Sequence, residues 1–392
     1  MIEQQLRVPG PTPLPSRVVR AGSRPMINHR GPEFAALLEE LVNGFRWALR
    51  TRNDVLLFPA SGTGGLEAAV VNVLDPGERA LFCVMGSFGE RWAAIGDAYG
   101  ADVVRLTVPA GEPIDPEDVD RILAEHGDIR TVFVTHNETS TGVVNDLPAI
   151  AAVVKSRGKL LCVDSVSGAS CLPLDNDALR VDVLVTGSQK GWMAPPGVAI
   201  VAVSPDAYAR ADIARIPRFY FDFAREKKYQ DRNQTFTTPA VSVMYALQEG
   251  IAMLREEGLE NVWRRHARVG RMVRAGIEAI GLRLLAADGH RSDTVTAVHA
   301  PTDTPERLKE LLAHLRTRYG LVLAGGQGDL QGKIFRIGHL GMIDESDVYS
   351  VLSLLEQGLA DVGLQTRIGL ATAAAQAAAR TDIPAAEPAA VG

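Results

Sequence analysis

From about residue 54 the chain alternates short apolar, β-rich runs with longer stretches whose apolar residues recur at helical spacing. DVLLFPA, ALFCVM, DVVRLTV, TVFVTH, KLLCVDS, DVLVTGS and VAIVAV each fit a buried strand. Between them GTGGLEAAVVNVL, FGERWAAIGDAYG, DPEDVDRILAEHG and DLPAIAAVVKSRG fit helices, several closed by glycine. The alternation predicts right-handed βαβ crossovers, and so an α/β fold on a large, mainly parallel seven-stranded sheet with helices on both faces. Two longer helical stretches, PAVSVMYALQEGIAMLREEG and LENVWRRHARVGRMVRAGIEAIG, then lead into a smaller layer of DTVTAVHA, ERLKELLAHLRTRYG, LVLAGG, GKIFRIGHLG and ESDVYSVLSLLEQGLADVG. The expected organisation is an N-terminal arm (1–20), a large domain (21–258), a small C-terminal α/β domain (259–365) and a tail (366–392). That tail, rich in alanine and proline with few large apolar side chains, is expected to be disordered.

Charge narrows the partners. With 41 basic against 47 acidic side chains the formal charge is -6, which leaves no broad electropositive field for a phosphate backbone, so nucleic acid is not an expected partner. The opening MIEQQLRVPGPTPLPSR lacks an apolar signal core, and no run approaches about 18 consecutive apolar residues, so a cytoplasmic protein without a membrane span is expected. Cys83, Cys162 and Cys171 lie in or beside apolar runs without C-x-x-C spacing and read as buried free thiols. The eight histidines show no metal-ligand spacing, so no metal is expected.

In open parallel sheets ligands bind beyond the carboxyl ends of the strands, and the unusual polar residues gather there. Ser61-Gly62-Thr63-Gly64 follows the first strand, Phe88 the second and Asn137-Glu138-Thr139-Ser140-Thr141 the fourth; Asp164 ends the fifth, and Ser188-Gln189-Lys190 follows the sixth. SGTGGLEAAV can turn backbone N–H groups and a helix dipole toward an anion, or be a plain turn. It lacks the G-x-G-x-x-G of a dinucleotide site, because Glu67 stands at the last glycine position. Asp164 either caps a helix or faces a cation. Lys190, between two strands expected to be interior, either reaches water from its loop or has a chemical reason to be buried, as an amine that forms a Schiff base does.

Taken jointly, SGTGGLEAAVVNVL, HNETSTGVV, VDSVSG, TGSQKGWMAPPG and FRIGHLG, in that order and at these intervals, resemble the fold-type I pyridoxal-phosphate enzymes of aminotransferase class V. The alanine–glyoxylate and serine–glyoxylate aminotransferases are the group most resembled, from about Pro9 to about Leu359. The resemblance implies pyridoxal 5'-phosphate as cofactor, joined to Lys190. It implies a phosphate cradle of Ser61, Gly62 and Thr63 with Gln189 as a further ligand, and Phe88 stacked on the pyridine where relatives often have tryptophan. Thr139 would approach the phenolic oxygen, Asp164 would pair with the pyridinium nitrogen, and Arg336 would grip the substrate α-carboxylate. Thr237, in QTFTTPAVS, would reach the phosphate of a neighbouring subunit, implying a homodimer with shared sites. The implied reaction carries an amino group from serine or alanine to a 2-oxo acid such as glyoxylate or pyruvate, in ping-pong fashion.

The chain departs from the family pattern at Gln234, near a place where relatives often have tyrosine, and at Gly191-Trp192, where many have a small residue and leucine. Trp192 either belongs to the core or narrows the substrate pocket. Two other readings share the fold. A lyase or desulfurase would need a nucleophilic cysteine, and the loop GGQGDLQG has none. A non-catalytic, partner-binding protein would not need Lys190, Asp164 and Arg336 together. A dehydrogenase would need the glycine fingerprint that is missing.

Overall fold

The computed structural model describes residues 4–302, 304–364 and 367–381. Seven strands, β1 (Asp54–Phe58), β2 (Arg79–Val84), β3 (Asp102–Thr107), β4 (Thr131–Thr135), β5 (Leu160–Asp164), β6 (Val183–Gly187) and β7 (Ala199–Val203), form one sheet in the order β1-β7-β6-β5-β4-β2-β3. All neighbouring pairs are parallel except the two made by β7, which runs antiparallel to β1 and β6. The expected mainly parallel, seven-stranded α/β sheet is therefore present.

Both faces are buried, and successive residues alternate between them. Leu81, Cys83, Val132, Val134, Leu161, Val163 and Leu184 join one apolar cluster with Leu41, Phe45, Ile150 and Leu247. Ala80, Phe82, Phe133, Cys162, Val183 and Val185 join another with Leu66, Trp92 and Phe223. A strand covered on both sides has no polar face to show, which is why these runs read as continuously apolar. All three cysteines are buried free thiols.

The helix Leu259–Ala279 starts against the first of these clusters through Val262 and continues into a third, C-terminal core through Val269, Met272, Val273 and Ile277. There β8 (Val295–His299), β9 (Ala324–Gly325) and β10 (Ile334–Gly338) form an antiparallel sheet in the order β8-β10-β9. Helix Glu345–Asp361 begins with a capping box in which Asp344 and Asp347 satisfy each other's backbone N–H groups.

The tail departs from expectation. Residues Leu370–Ala379 form a helix packed on Leu259–Ala279, with Ala371 and Ala375 fully buried. Small side chains suffice because the facing surface is also small: a Cβ added at Gly276 would lie 3.1 Å from the Ala371 carbonyl. The helix start is held by Glu356, itself fully buried, whose carboxylate accepts from Gly369 N at 3.2 Å and Ala371 N at 2.9 Å. Residues 382–392 lie outside the described residues. No helix among the described residues is long and apolar enough to cross a membrane.

Candidate active site

The lysine loop joins β6 to β7, both interior to the sheet, so Lys190 emerges from the centre of the molecule. Its side chain is 7% exposed and Nζ donates to the Pro9 carbonyl. A strap formed by the N-terminal arm lies over it. Thr12 N donates to Gln189 O at 3.1 Å and Thr12 Oγ1 to Lys190 O at 3.2 Å. Gly10, at φ +113, has Lys190 so close that an added Cβ would lie 2.5 Å from Cδ and 2.6 Å from Nζ. Burial pulls the amine down to about 8, opposed by Asp164 and reinforced by Arg336.

Asp164 closes β5 and is 4% exposed. Its Oδ1 accepts from Val166 N at 2.8 Å, so the local turn is capped as well. Burial raises its pKa to about 7, against that hydrogen bond and the Lys190 charge, while nearby Glu138 pushes it further up. A buried carboxylate with so high a value is one that lacks a strong cationic partner, and the protonated ring nitrogen of pyridoxal phosphate is a cation of the right kind.

The anion cradle is built by close backbone approach. Ser61 precedes helix Gly62–Val73, and its carbonyl accepts from Gly64 N at 2.9 Å. A Cβ at Gly62 would lie 2.8 Å from Val166 Cγ2, and one at Gly187 would lie 2.9 Å from Gln189 Oε1 and 3.5 Å from Gly62 Cα. The first turn of that helix, the end of β6 and Gln189 therefore meet. Gln189 Oε1 is buried with no hydrogen-bond partner among the described residues. Helix N–H groups are donors that suit a phosphate, and the Gln189 carboxamide beside them can add its NH2 group, its oxygen being an acceptor.

Phe88 sits in the first turn of helix Ser87–Ala98, half-buried, with the Arg91 guanidinium 4.8 Å from its ring centroid. Arg91 Nη1 also donates to Thr63 Oγ1 at 3.2 Å, linking the stacking residue to the cradle. Thr139 Oγ1 donates to Ser167 Oγ at 2.8 Å, and Ser167 in turn donates to Asn137 O at 2.9 Å. Arg336, on β10 and 5% exposed, donates from Nη1 to Thr139 O at 3.0 Å and from Nε and Nη2 to Gly325 O at 3.0 and 2.8 Å. Its acceptors are carbonyls and it makes no ion pair among the described residues; burial lowers its proton affinity, and Glu138 opposes this. Such a guanidinium has bonding capacity left for a carboxylate.

Lys190, Asp164, Thr139, Gln189, Gly62, Thr63 and Phe88, beyond or at the ends of large-sheet strands, and Arg336, within β10, are thus linked by these contacts. Ser61 is exposed at the rim. Thr237 is not tied to them: its carbonyl accepts from Thr235 Oγ1 at 2.7 Å on its own loop, and Gln234 accepts from Arg30 at 3.3 Å. Trp192 is core. It is fully buried, donates from Nε1 to Thr186 Oγ1 at 3.0 Å and packs edge-on to Phe45 at 4.9 Å.

Sequence reasoning passed over Glu138. Fully buried, it accepts from Phe88 N and Gly89 N at 3.1 Å and from Ser140 N and Oγ at 3.0 and 2.6 Å, and so fixes the start of the helix that carries Phe88. The signal was in plain sight: seven polar residues in succession, Thr135 to Thr141, after the apolar Val132-Phe133-Val134.

Comparison with known proteins adds a second line of observation. The family described as Aminotransferase class-V matches residues 9–327. A protein named soluble hydrogenase 42 kDa subunit, from Anabaena cylindrica, is 40% identical over 91% of this chain and 94% of its own length. The L-aspartate–glyoxylate aminotransferase of Paracoccus denitrificans is 38% identical, and the serine–glyoxylate aminotransferase of Methylorubrum extorquens 36%, each over 94% of both chains. The solved structure of pyridoxamine–pyruvate aminotransferase from Mesorhizobium loti superposes with a TM-score of 0.91 at 30% identity, covering 96% of this chain and 97% of that one.

Proposed function

Because this chain belongs to the class-V aminotransferase family, whose members depend on pyridoxal phosphate, we propose that it transfers the amino group of a small amino acid, serine or alanine, to a 2-oxo acid such as glyoxylate or pyruvate. The observation that carries this reading is the buried Lys190 amine, depressed to about 8 and within electrostatic reach of Asp164 and Arg336. Pyridoxal phosphate, when bound, supplies an aldehyde that condenses with amines and a ring that accepts the electron pair left when the substrate Cα–H bond breaks.

The residues divide the remaining work. Ser61, Gly62, Thr63 and Gln189 would hold the phosphate, Phe88 would orient the ring, and Thr139 would serve the phenolic oxygen. Asp164 holds a proton at the ring nitrogen. Arg336 binds the substrate α-carboxylate, which fixes Cα within reach of Lys190 Nζ. An amine near 8 is partly unprotonated at neutral pH, so Lys190 can take the α-proton and return it. The oxo product leaves before the second oxo acid enters, which makes the kinetics ping-pong. Thr237 acts across a homodimer interface, on the partner's phosphate.

The name of the Anabaena relative concerns that protein; an amine, a carboxylate and an anion cradle are the parts of amino-group transfer. A second donor, aspartate, is favoured by one specific feature: Arg91 is exposed beside Phe88 and could pair with a second carboxylate. Measuring kcat/KM for serine, alanine, aspartate and glutamate against glyoxylate and pyruvate, with each half-reaction followed spectrally, decides between the donors. If aspartate or glutamate is best, the small-donor reading falls; if no amino acid converts the cofactor, the aminotransferase reading falls with it.

A further inference from the structure

A cleft of about 640 Å³ opens beside the cluster, lined by Ser87, Arg91, Ser140 and Thr141 on one side and by the loop Gln327–Leu330 on the other. Each wall adjoins a residue of the site. Ser87 precedes Phe88, Ser140 follows Thr139, and Arg91 bonds Thr63. The loop follows Gly325, whose carbonyl accepts two hydrogen bonds from Arg336. It is a tight structure: Gly326 N donates to Ile334 O at 3.0 Å, and Leu330 N to Gln327 O at 3.0 Å. Within this wall the Gln327 carboxamide oxygen is buried and has no hydrogen-bond partner among the described residues.

A buried polar atom with no partner costs stability, and it is satisfied at once by a ligand that brings the missing group. We propose that Gln327 is a specificity-determining residue that reads the side chain of the amino donor, favouring a donor with a β-hydroxyl over one with a bare methyl. This rests on the aminotransferase reading above and deepens it. With the α-carboxylate on Arg336, whose guanidinium donates to the carbonyl of Gly325 two residues before Gln327, the loop stands beside the bound amino acid. The hydroxyl of serine donates to the carboxamide oxygen and accepts from its NH2 group. The methyl of alanine does neither, and leaves the carboxamide as it is without substrate.

The test is the serine-to-alanine ratio of kcat/KM in the holoenzyme with glyoxylate as acceptor. Gln327→Leu, close in shape but without polar atoms, should lower the serine value by roughly tenfold and leave alanine within about twofold, since one hydrogen bond to a neutral group is at stake. Gln327→Glu keeps an acceptor and should hold the ratio within about threefold of the wild type. Serine and alanine falling in parallel, or an unchanged ratio in Gln327→Leu, overturns the assignment while the aminotransferase reading stands. A wild-type enzyme that turns over neither serine nor alanine but accepts other donors overturns the donor class and this assignment with it; one that turns over no amino acid defeats the reaction itself.

Discussion

Replacing Lys190 by methionine in the cofactor-free protein should change how stability depends on pH. A lysine amine ordinarily titrates at 10.5, and in the folded chain it is drawn down to about 8, chiefly by burial, with Asp164 and Glu138 resisting and Arg336 and Arg91 assisting. Between those two values the unfolded chain carries the proton and the folded chain does not, so stability rises with pH across that window. Below about 8 both states are charged and the folded state bears the full cost of burying the ammonium. The span from 10.5 to about 8, at about 1.4 kcal/mol per pH unit, is about 3 kcal/mol. Urea unfolding of wild type and Lys190→Met at matched pH cancels the titration of other groups. The stability difference between them should shift by about 3 kcal/mol in favour of wild type from pH 7.5 to 10.5. Parallel profiles across that range would refute the idea that the amine is held neutral by burial.

Asp164→Asn keeps the shape of the strand end and removes the anion, so kcat should fall by about a hundredfold or more while circular dichroism is unchanged; near-normal turnover counts against its role. Trp192→Phe should lower the unfolding midpoint by an amount worth about 1–3 kcal/mol, yet leave the ratio of kcat/KM values between donors as it was, since its ring packs on Phe45 away from the cleft. Ala371→Leu places a larger side chain at a fully buried position against Gly276 and should cost about 1–3 kcal/mol in urea unfolding; no change would mean that the last helix does not dock.

The sheet was legible because its strands, apart from the largely exposed edge strand Asp102–Thr107, are covered on both faces and bounded by turn residues, so pattern and environment agree. Lys190 was legible for the opposite reason: a lone cation between two such strands contradicts its surroundings. What stayed hidden depends on contacts distant in sequence. The tail looked too poor in large apolar residues to fold, but alanine needs only a shallow partner surface, which Gly276 provides, and Glu356 supplies the end cap from another helix. Glu138 was visible within a run of seven polar residues, but nothing local says that its carboxylate serves a helix starting 51 residues earlier, at Ser87. Trp192 lies two residues from the lysine, yet its burial follows from Phe45 in a helix that the pattern alone does not bring to it.

The arm that crosses Lys190 also reaches Arg336's strand: Gly338 N donates to Arg7 O at 2.7 Å, and Thr12 N to Gln189 O at 3.1 Å. Five peptide units therefore measure out the gap between the amine's loop and the strand that carries the guanidinium, a ruler of at most about 17 Å. A ruler is indifferent to most of its markings and sensitive to its length. Side chains along residues 8–11 should be exchangeable where the backbone permits, except at Gly10, whereas inserting or deleting one residue there would alter the spacing of two reactive groups that lie far apart in the chain.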